Sequence, residues 1–177
     1  LAELEQEKHI SALPPVTVGG AVVIPRGLLG KLMGRPALFG ADTAVRRRIE
    51  LAAMKAVMDI EASLGFAPTD VSAQNKGYDI ESKIPAELRD ADGTTLRFIE
   101  VKGRAKGATS VTVTKNEILT ALNEPEQFIL AIVEVDGNAT HTIYLKKPFH
   151  KQPDFAATSV NYDIADLIGS AEIIYEC

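Results

Sequence analysis

Residues 127–135 include Phe128-Ile129-Leu130-Ala131-Ile132-Val133, a nearly unbroken apolar run. A strand wetted on one side would alternate apolar and polar residues. This run does not, so it reads as a strand covered on both faces. The chain must therefore place other elements above and below a sheet. Hydrophobic residues make up 46% of the 177 and charged residues 24%, which is enough apolar material for a packed core and unlike a disordered chain. No apolar stretch approaches the roughly 20 residues needed to span a membrane as a helix.

A long helix is expected from Asp42 or Thr43, either of which suits an N-cap, to about Leu64, with Gly65 as its stop. Val45, Ile49, Ala52, Ala56 and Ile60 form one apolar stripe at helical spacing, and Met54, Val57, Glu61 and Leu64 form another. Glu61 is the odd member, a carboxylate in apolar company. It needs a partner, a metal ion or a route to water, because an unpaired buried charge is costly.

Thr69 to Gln74 reads as a first strand. Gly77-Tyr78-Asp79-Ile80-Glu81-Ser82 and Arg97-Phe98-Ile99-Glu100-Val101-Lys102-Gly103-Arg104 read as the next two. In the latter, Leu96, Phe98, Glu100 and Lys102 share one face, and Arg97, Ile99 and Val101 the other. Residues 103–107 read as flexible and basic, and Ser110 to Val113 as a short strand. Thr114-Lys115-Asn116-Glu117 fits a capping box that opens a helix through Leu122, which gives Glu117 a structural task. Asp136-Gly137-Asn138 turns the apolar strand into a hairpin with His141 to Leu145. Asp163 caps a short helix, and Glu172 to Tyr175 forms a last strand. The order specifies an α/β or α+β sandwich with a mixed sheet flanked by helices. Residues 1–40, rich in Pro and Gly, are expected to be an N-terminal extension or linker from a larger protein, and residues 41–177 the domain proper.

The net charge of −5 argues against a protein that coats nucleic acid, yet a metal site concentrates acids and its cation restores positive charge locally. Basic residues cluster at Arg46-Arg47-Arg48 and between Arg97 and Lys115. The single cysteine is Cys177, so no intrachain disulfide can form, and a cytoplasmic setting is expected. The three histidines show no zinc spacing. Asp79, with Glu100 and Lys102 on one strand face, is an arrangement that can hold a Mg²⁺ or Mn²⁺ ion and a water. The Val101 carbonyl is a further ligand candidate. Lys102 could orient the water or offset developing negative charge, and Glu61 could assist from the helix. Arg104, Lys106 and Lys115 are the candidate contacts to a DNA backbone. The plainer reading of Glu100 and Lys102 is an exposed pair on a half-buried strand.

Gly77-Tyr78-Asp79-Ile80 followed by Ile99-Glu100-Val101-Lys102-Gly103 resembles the Asp…Glu-x-Lys signature of the PD-(D/E)XK restriction-endonuclease-like superfamily. Tyr78 stands where the superfamily name has Pro. More narrowly, these two strands and Thr114-Lys115-Asn116-Glu117 are similar to the NO VEIN C-terminal-type domain, which is often appended to large ATP-dependent helicases. The resemblance covers residues 44–145. It implies a three-layer restriction-endonuclease-like core in the order α-β-β-β-α-β, and metal-dependent hydrolysis of phosphodiester bonds. It further implies Asp79 and Glu100 as metal ligands, Lys102 as the catalytic lysine and Glu61 as an accessory acid. The implied partners are DNA and a helicase core in the same polypeptide, with a homodimer where both strands are to be cut. The alternative is a catalytically silent DNA-binding or protein-docking module on the same fold.

Overall fold

A computed structural model describes residues 20, 22, 24, 32, 33, 43–89 and 93–177. The expectations for residues 1–40, and Asp42 as a helix cap, lie outside these except at isolated positions. The chain divides into two compact units, Leu1–Ala41 and Asp42–Cys177, and the fold that follows is that of the second.

It begins with helix α1 (Thr43–Ser63), then strand β1 (Ala67–Asp70), a 3₁₀ turn at Ser72–Gln74, and strands β2 (Ile80–Lys83) and β3 (Leu96–Ala105). There follow β4 (Ser110–Thr114), α2 (Lys115–Asn123), β5 (Phe128–Asp136), β6 (Ala139–Lys146), β7 (Ser159–Asp163), α3 (Ile164–Ser170) and β8 (Glu172–Glu176). Six strands form a mixed sheet in the order β1-β2-β3-β5-β6-β8, and β4 pairs with β7 in a separate ribbon. Among the described residues of this sheet only β3 and β5 run parallel. Their connection passes through β4 and α2, as a parallel crossover requires. The element order α1-β1-β2-β3-α2-β5 is the one the resemblance implied, with β4 added.

The apolar run of β5 is indeed covered twice. Ile129, Ala131, Val133 and Val135 pack with Ile80, Ile99 and Tyr144 beneath Ala53 and Val57 of α1. Phe128, Leu130 and Ile132 meet Val111 and Val113 of β4, Ile118 and Ala121 of α2, and Leu167 of α3. These two cores on opposite faces of one sheet are why the run carries no polar residue. The buried stripe of α1 is Ala53, Val57 and Glu61, whereas Val45 of the expected stripe is exposed. The helix faces the sheet with its small residues, which lets it lie close.

Gly103 fixes how close. A Cβ there would stand 2.9 Å from the Ala53 Cβ and 3.1 Å from the Ile49 carbonyl oxygen, both parts of α1 that cannot swing aside. Gly103→Ala is therefore expected to push α1 off β3 at a cost of about 1–3 kcal/mol. Thermal unfolding of the variant checks this, and an unchanged midpoint would refute the close packing. Residues 103–105, expected to be flexible, instead continue β3 against β5. The expected strand at Thr69 to Gln74 begins earlier, at Ala67, and its second half is the 3₁₀ turn.

Candidate active site

β2 is short and β3 is long. β2 pairs with β3 only from Lys83↔Leu96 to Ile80↔Ile99, so from Glu100 onward β3 has no strand neighbour on that edge. Asp79, the residue before β2, fills the first place. Its backbone N–H donates to the Ile99 carbonyl (3.0 Å), and its Oδ2 accepts from the Val101 N–H (3.0 Å). Groups two residues apart along a strand point to the same edge, so the Val101 carbonyl projects beside Asp79. The local sequence enforces this. Gly77 takes φ +85°, and a Cβ there would lie 2.3 Å from Thr120 Oγ1 of α2. Tyr78 stacks on Phe98 (4.7 Å between centroids) and donates to Glu81 (2.8 Å).

A cleft of about 390 Å³ opens over this notch. Asp79, Glu100, Val101, Lys102, Gly103 and Arg104 line its floor, and Asp70, Ser72 and Thr112 its sides. Arg47, Glu50, Leu51 and Met54 of α1 line the wall opposite. Glu100 is 4% exposed, not the surface residue of the plainer reading. Lys102 Nζ lies 2.6 Å from Glu100 Oε1 and 2.7 Å from Glu117 Oε2.

The electrostatics follow from one cation set among several acids. Burial pushes the Glu100 carboxyl up to about 8; Lys102 opposes that, while Asp79 and Glu117 add to it. Asp79 is raised as well, first by burial, against the Val101 N–H bond and Lys102. For Lys102 burial works against the charge, but Glu100 and Glu117 outweigh it and hold the ammonium above its ordinary value. Asp70 lies the other way: the Ser72 hydroxyl and N–H bind its Oδ1 and hold it below the usual carboxylate range.

The sequence-predicted residues divide. Asp79, Glu100, Val101 and Lys102 come together in the cleft, and Arg104 joins them on its floor. Arg104 is not a free cation: its Nε donates to the Ser110 carbonyl (3.1 Å) and its Nη1 to the Gly103 carbonyl (2.8 Å). Lys106 pairs with Asp136, and Lys115 donates to the Phe155 carbonyl while lying over the Phe155 ring; neither lines the cleft. Glu61 does not line it either. It is fully buried on the α1 face of the sheet, 3.2 Å from Arg97 Nη1, whose guanidinium sits over the rings of Phe66 and Tyr144.

One residue with a place in the site, Glu50, has no mark of its own in the sequence pattern, and a second, Glu117, has a part there beyond its expected structural task. Glu50 is the acid that α1 presents to the cleft, and it lies on the stripe of Met54, Val57 and Glu61 extended one turn toward the N-terminus. Glu117 closes its capping box, taking a bond from the Thr114 N–H at 3.0 Å, and also holds Lys102 with the same oxygen.

The donor set suits a small hard cation. Mg²⁺ takes one or two carboxylates and keeps several waters. Asp79, Glu100 and the Val101 carbonyl offer that, and a cation there would offset the burial that raises both carboxyls. Among the described residues no group of three or more His, Cys, Asp and Glu could hold a metal ion unaided.

The molecule is thus a mixed α/β domain with a carboxylate–lysine cleft at the open edge of its central sheet. Residues 49–145, more than half the chain, match the family described as Protein NO VEIN, C-terminal, and the chain belongs to that family. Neither curated proteins nor solved structures give a match. Among the described residues no helix is long and apolar enough to cross a membrane.

Proposed function

We propose that this domain hydrolyses phosphodiester bonds of DNA with Mg²⁺ or Mn²⁺, as part of a larger helicase-type protein. The observation that carries the reading is the convergence of Asp79, Glu100 and Lys102 at the unpaired edge of β3, inside a cleft. The order of elements and the Asp…Glu-x-Lys pattern also support it.

When bound by Asp79, Glu100 and the Val101 carbonyl, the ion would supply Lewis-acid charge at the phosphate and lower the pKa of a water. The rest falls to the chain. The Val101 N–H fixes the rotamer of Asp79, so one of its oxygens is oriented before anything binds. Glu117 holds the Lys102 ammonium beside Glu100, protonated and aimed at the cleft. There it can bind a non-bridging phosphate oxygen and offset the charge that grows as water attacks. Burial on the α2 side of the sheet keeps this interaction in a low dielectric.

The test is cleavage of single-stranded, duplex and branched DNA with Mn²⁺. Wild type should cut, and Asp79→Ala should not. No cutting by wild type, or cutting that survives in the variant, defeats the reading. Metal binding gives a separate check. Glu100 must lose its proton to bind, so Mn²⁺ affinity should rise about tenfold per pH unit and level off above pH 8. Titration calorimetry at several pH values measures this, and a flat profile from pH 6 to 8 would place the ion elsewhere.

One observation favours a second reading. Lys102 is gripped from two sides, and the basic residues after it are engaged by other partners. That suits a silent module that binds DNA or docks protein on the same fold, and it predicts DNA binding without Mn²⁺ binding.

A further inference from the structure

Arg46, Arg47 and Arg48 follow one another near the start of α1. The residues α1 turns to the cleft are Arg47, Glu50, Leu51 and Met54, one stripe at helical spacing. At about 100° per residue, Arg46 and Arg48 fall on either flank of that stripe. The three therefore form a basic ridge across the first turns of α1, fanning around the helix, with Arg47 reaching into the cleft and the other two flanking it. All three are exposed, and among the described residues none has an ion pair, a hydrogen bond or a ring contact. Arginines with no partner among the described residues are unusual beside an acidic site, because Glu50 and Asp70 line the same cleft. The basic residues that follow Lys102 are the opposite case, each already held by a carboxylate or a backbone carbonyl.

We propose that the Arg46-Arg47-Arg48 ridge of α1 is the surface that grips the DNA backbone and lays a strand across the cleft, in place of Lys106 and Lys115. The inference rests on the nuclease reading of the cleft and names the element that holds its substrate. The guanidinium fork suits the work, since it matches two phosphate oxygens at once and stays charged at every relevant pH. It also reconciles a net charge of −5 with a polyanionic partner: three charges unpaired among the described residues are gathered at the start of one helix, beside the acids a metal ion would neutralise. Phosphate contacts carry no base identity, so the grip is largely independent of sequence.

The test uses the full chain, a labelled duplex and a single strand of the same sequence, with EDTA present so that nothing is cut. Binding is read by fluorescence anisotropy across a salt series. Replacing all three arginines by alanine should weaken duplex binding roughly 10- to 100-fold near 0.1 M salt. The slope of log affinity against log salt should shrink by about 2–3 units for duplex, and by less for the single strand. Lys106→Ala with Lys115→Ala should change affinity less than about twofold, since those lysines are already paired. The triple Arg→Lys variant should recover most of the slope, which separates lost charge from lost folding. An unchanged slope in the triple alanine variant, an equal loss in the lysine variant, or a wild type that binds no DNA overturns the ridge. Normal DNA binding without cleavage in Mn²⁺ overturns the nuclease reading and leaves the ridge standing.

Discussion

Glu61→Ala is expected to destabilise the domain by about 3–5 kcal/mol, the usual cost of leaving one member of a buried ion pair alone. The orphan would be Arg97, 13% exposed and packed against Phe66 and Tyr144. The unfolding midpoint should fall by on the order of 10 °C. Glu61→Gln should cost far less. Burial, the dominant influence, pushes the Glu61 carboxyl above its ordinary range; Arg97 and the hydroxyls of Ser82 and Tyr144 resist only in part. Neither Glu61 oxygen makes a hydrogen bond of good geometry, so the charged form is poorly served where it sits. The sign of the pH effect follows. A carboxyl whose value is raised by folding favours the folded state when protonated. Its contribution is complete below the ordinary carboxyl range and is lost as pH rises through the raised value. Wild type should show that loss in a pH series of thermal midpoints, and Glu61→Gln should show a smaller one, the share of Asp79 and Glu100 remaining. The Gln variant should also bind Mn²⁺ as wild type does. A loss of Mn²⁺ binding in a fully folded Glu61→Gln would return Glu61 to the site.

Glu61 shows where sequence can and cannot speak. Its stripe was legible, because apolar neighbours at helical spacing report burial whatever the partner turns out to be. Its partner was not, because Arg97 comes from a strand whose register against α1 depends on the closeness allowed by Gly103. The alternation of β3 correctly sent Glu100 and Lys102 to one face and Ile99 to the other, since strand periodicity is local. The capping box at Thr114 and the cap at Asp163 were legible for the same reason. The pairing of β4 with β7 joins segments distant in the chain and has no local signature. Glu50 was overlooked because it is exposed and stands among arginines, so nothing in its own neighbourhood set it apart from a solvated helix face. Lys106 and Lys115 stand in the sequence as candidate contacts to a DNA backbone, with no local sign that they are engaged elsewhere. Their partners, Asp136 and the Phe155 carbonyl, arrive from other parts of the chain.

Lys102→Met is expected to have the largest effect on activity, lowering Mn²⁺-dependent cleavage at least about 10²-fold, the scale for removing one charge-stabilising donor. It should also lower stability. Among the described residues Lys102 is the one side-chain cation in contact with Glu100 and Glu117, and it also opposes the rise in Asp79. Without it Glu100, already at about 8, rises further and holds its proton through the neutral range. Mn²⁺ would then have to displace that proton, so metal affinity near pH 7 should fall together with cleavage. A second substitution separates structure from chemistry. Glu100→Gln added to Lys102→Met removes the acid that the lysine had balanced, so most of the lost stability should return while metal binding and cleavage stay absent. Glu117→Gln provides the complementary case. Gln also serves at the third position of a capping box, so α2 should keep its cap. The charge that restrains Lys102 goes, leaving the ammonium on Glu100 alone. Cleavage should fall while the unfolding midpoint stays within a few degrees of wild type. If Lys102→Met with Glu100→Gln recovers cleavage as well as stability, the lysine only holds the sheet edge together. If Lys102→Met cuts DNA at the wild-type rate, the cleft is not the place where the bond is broken.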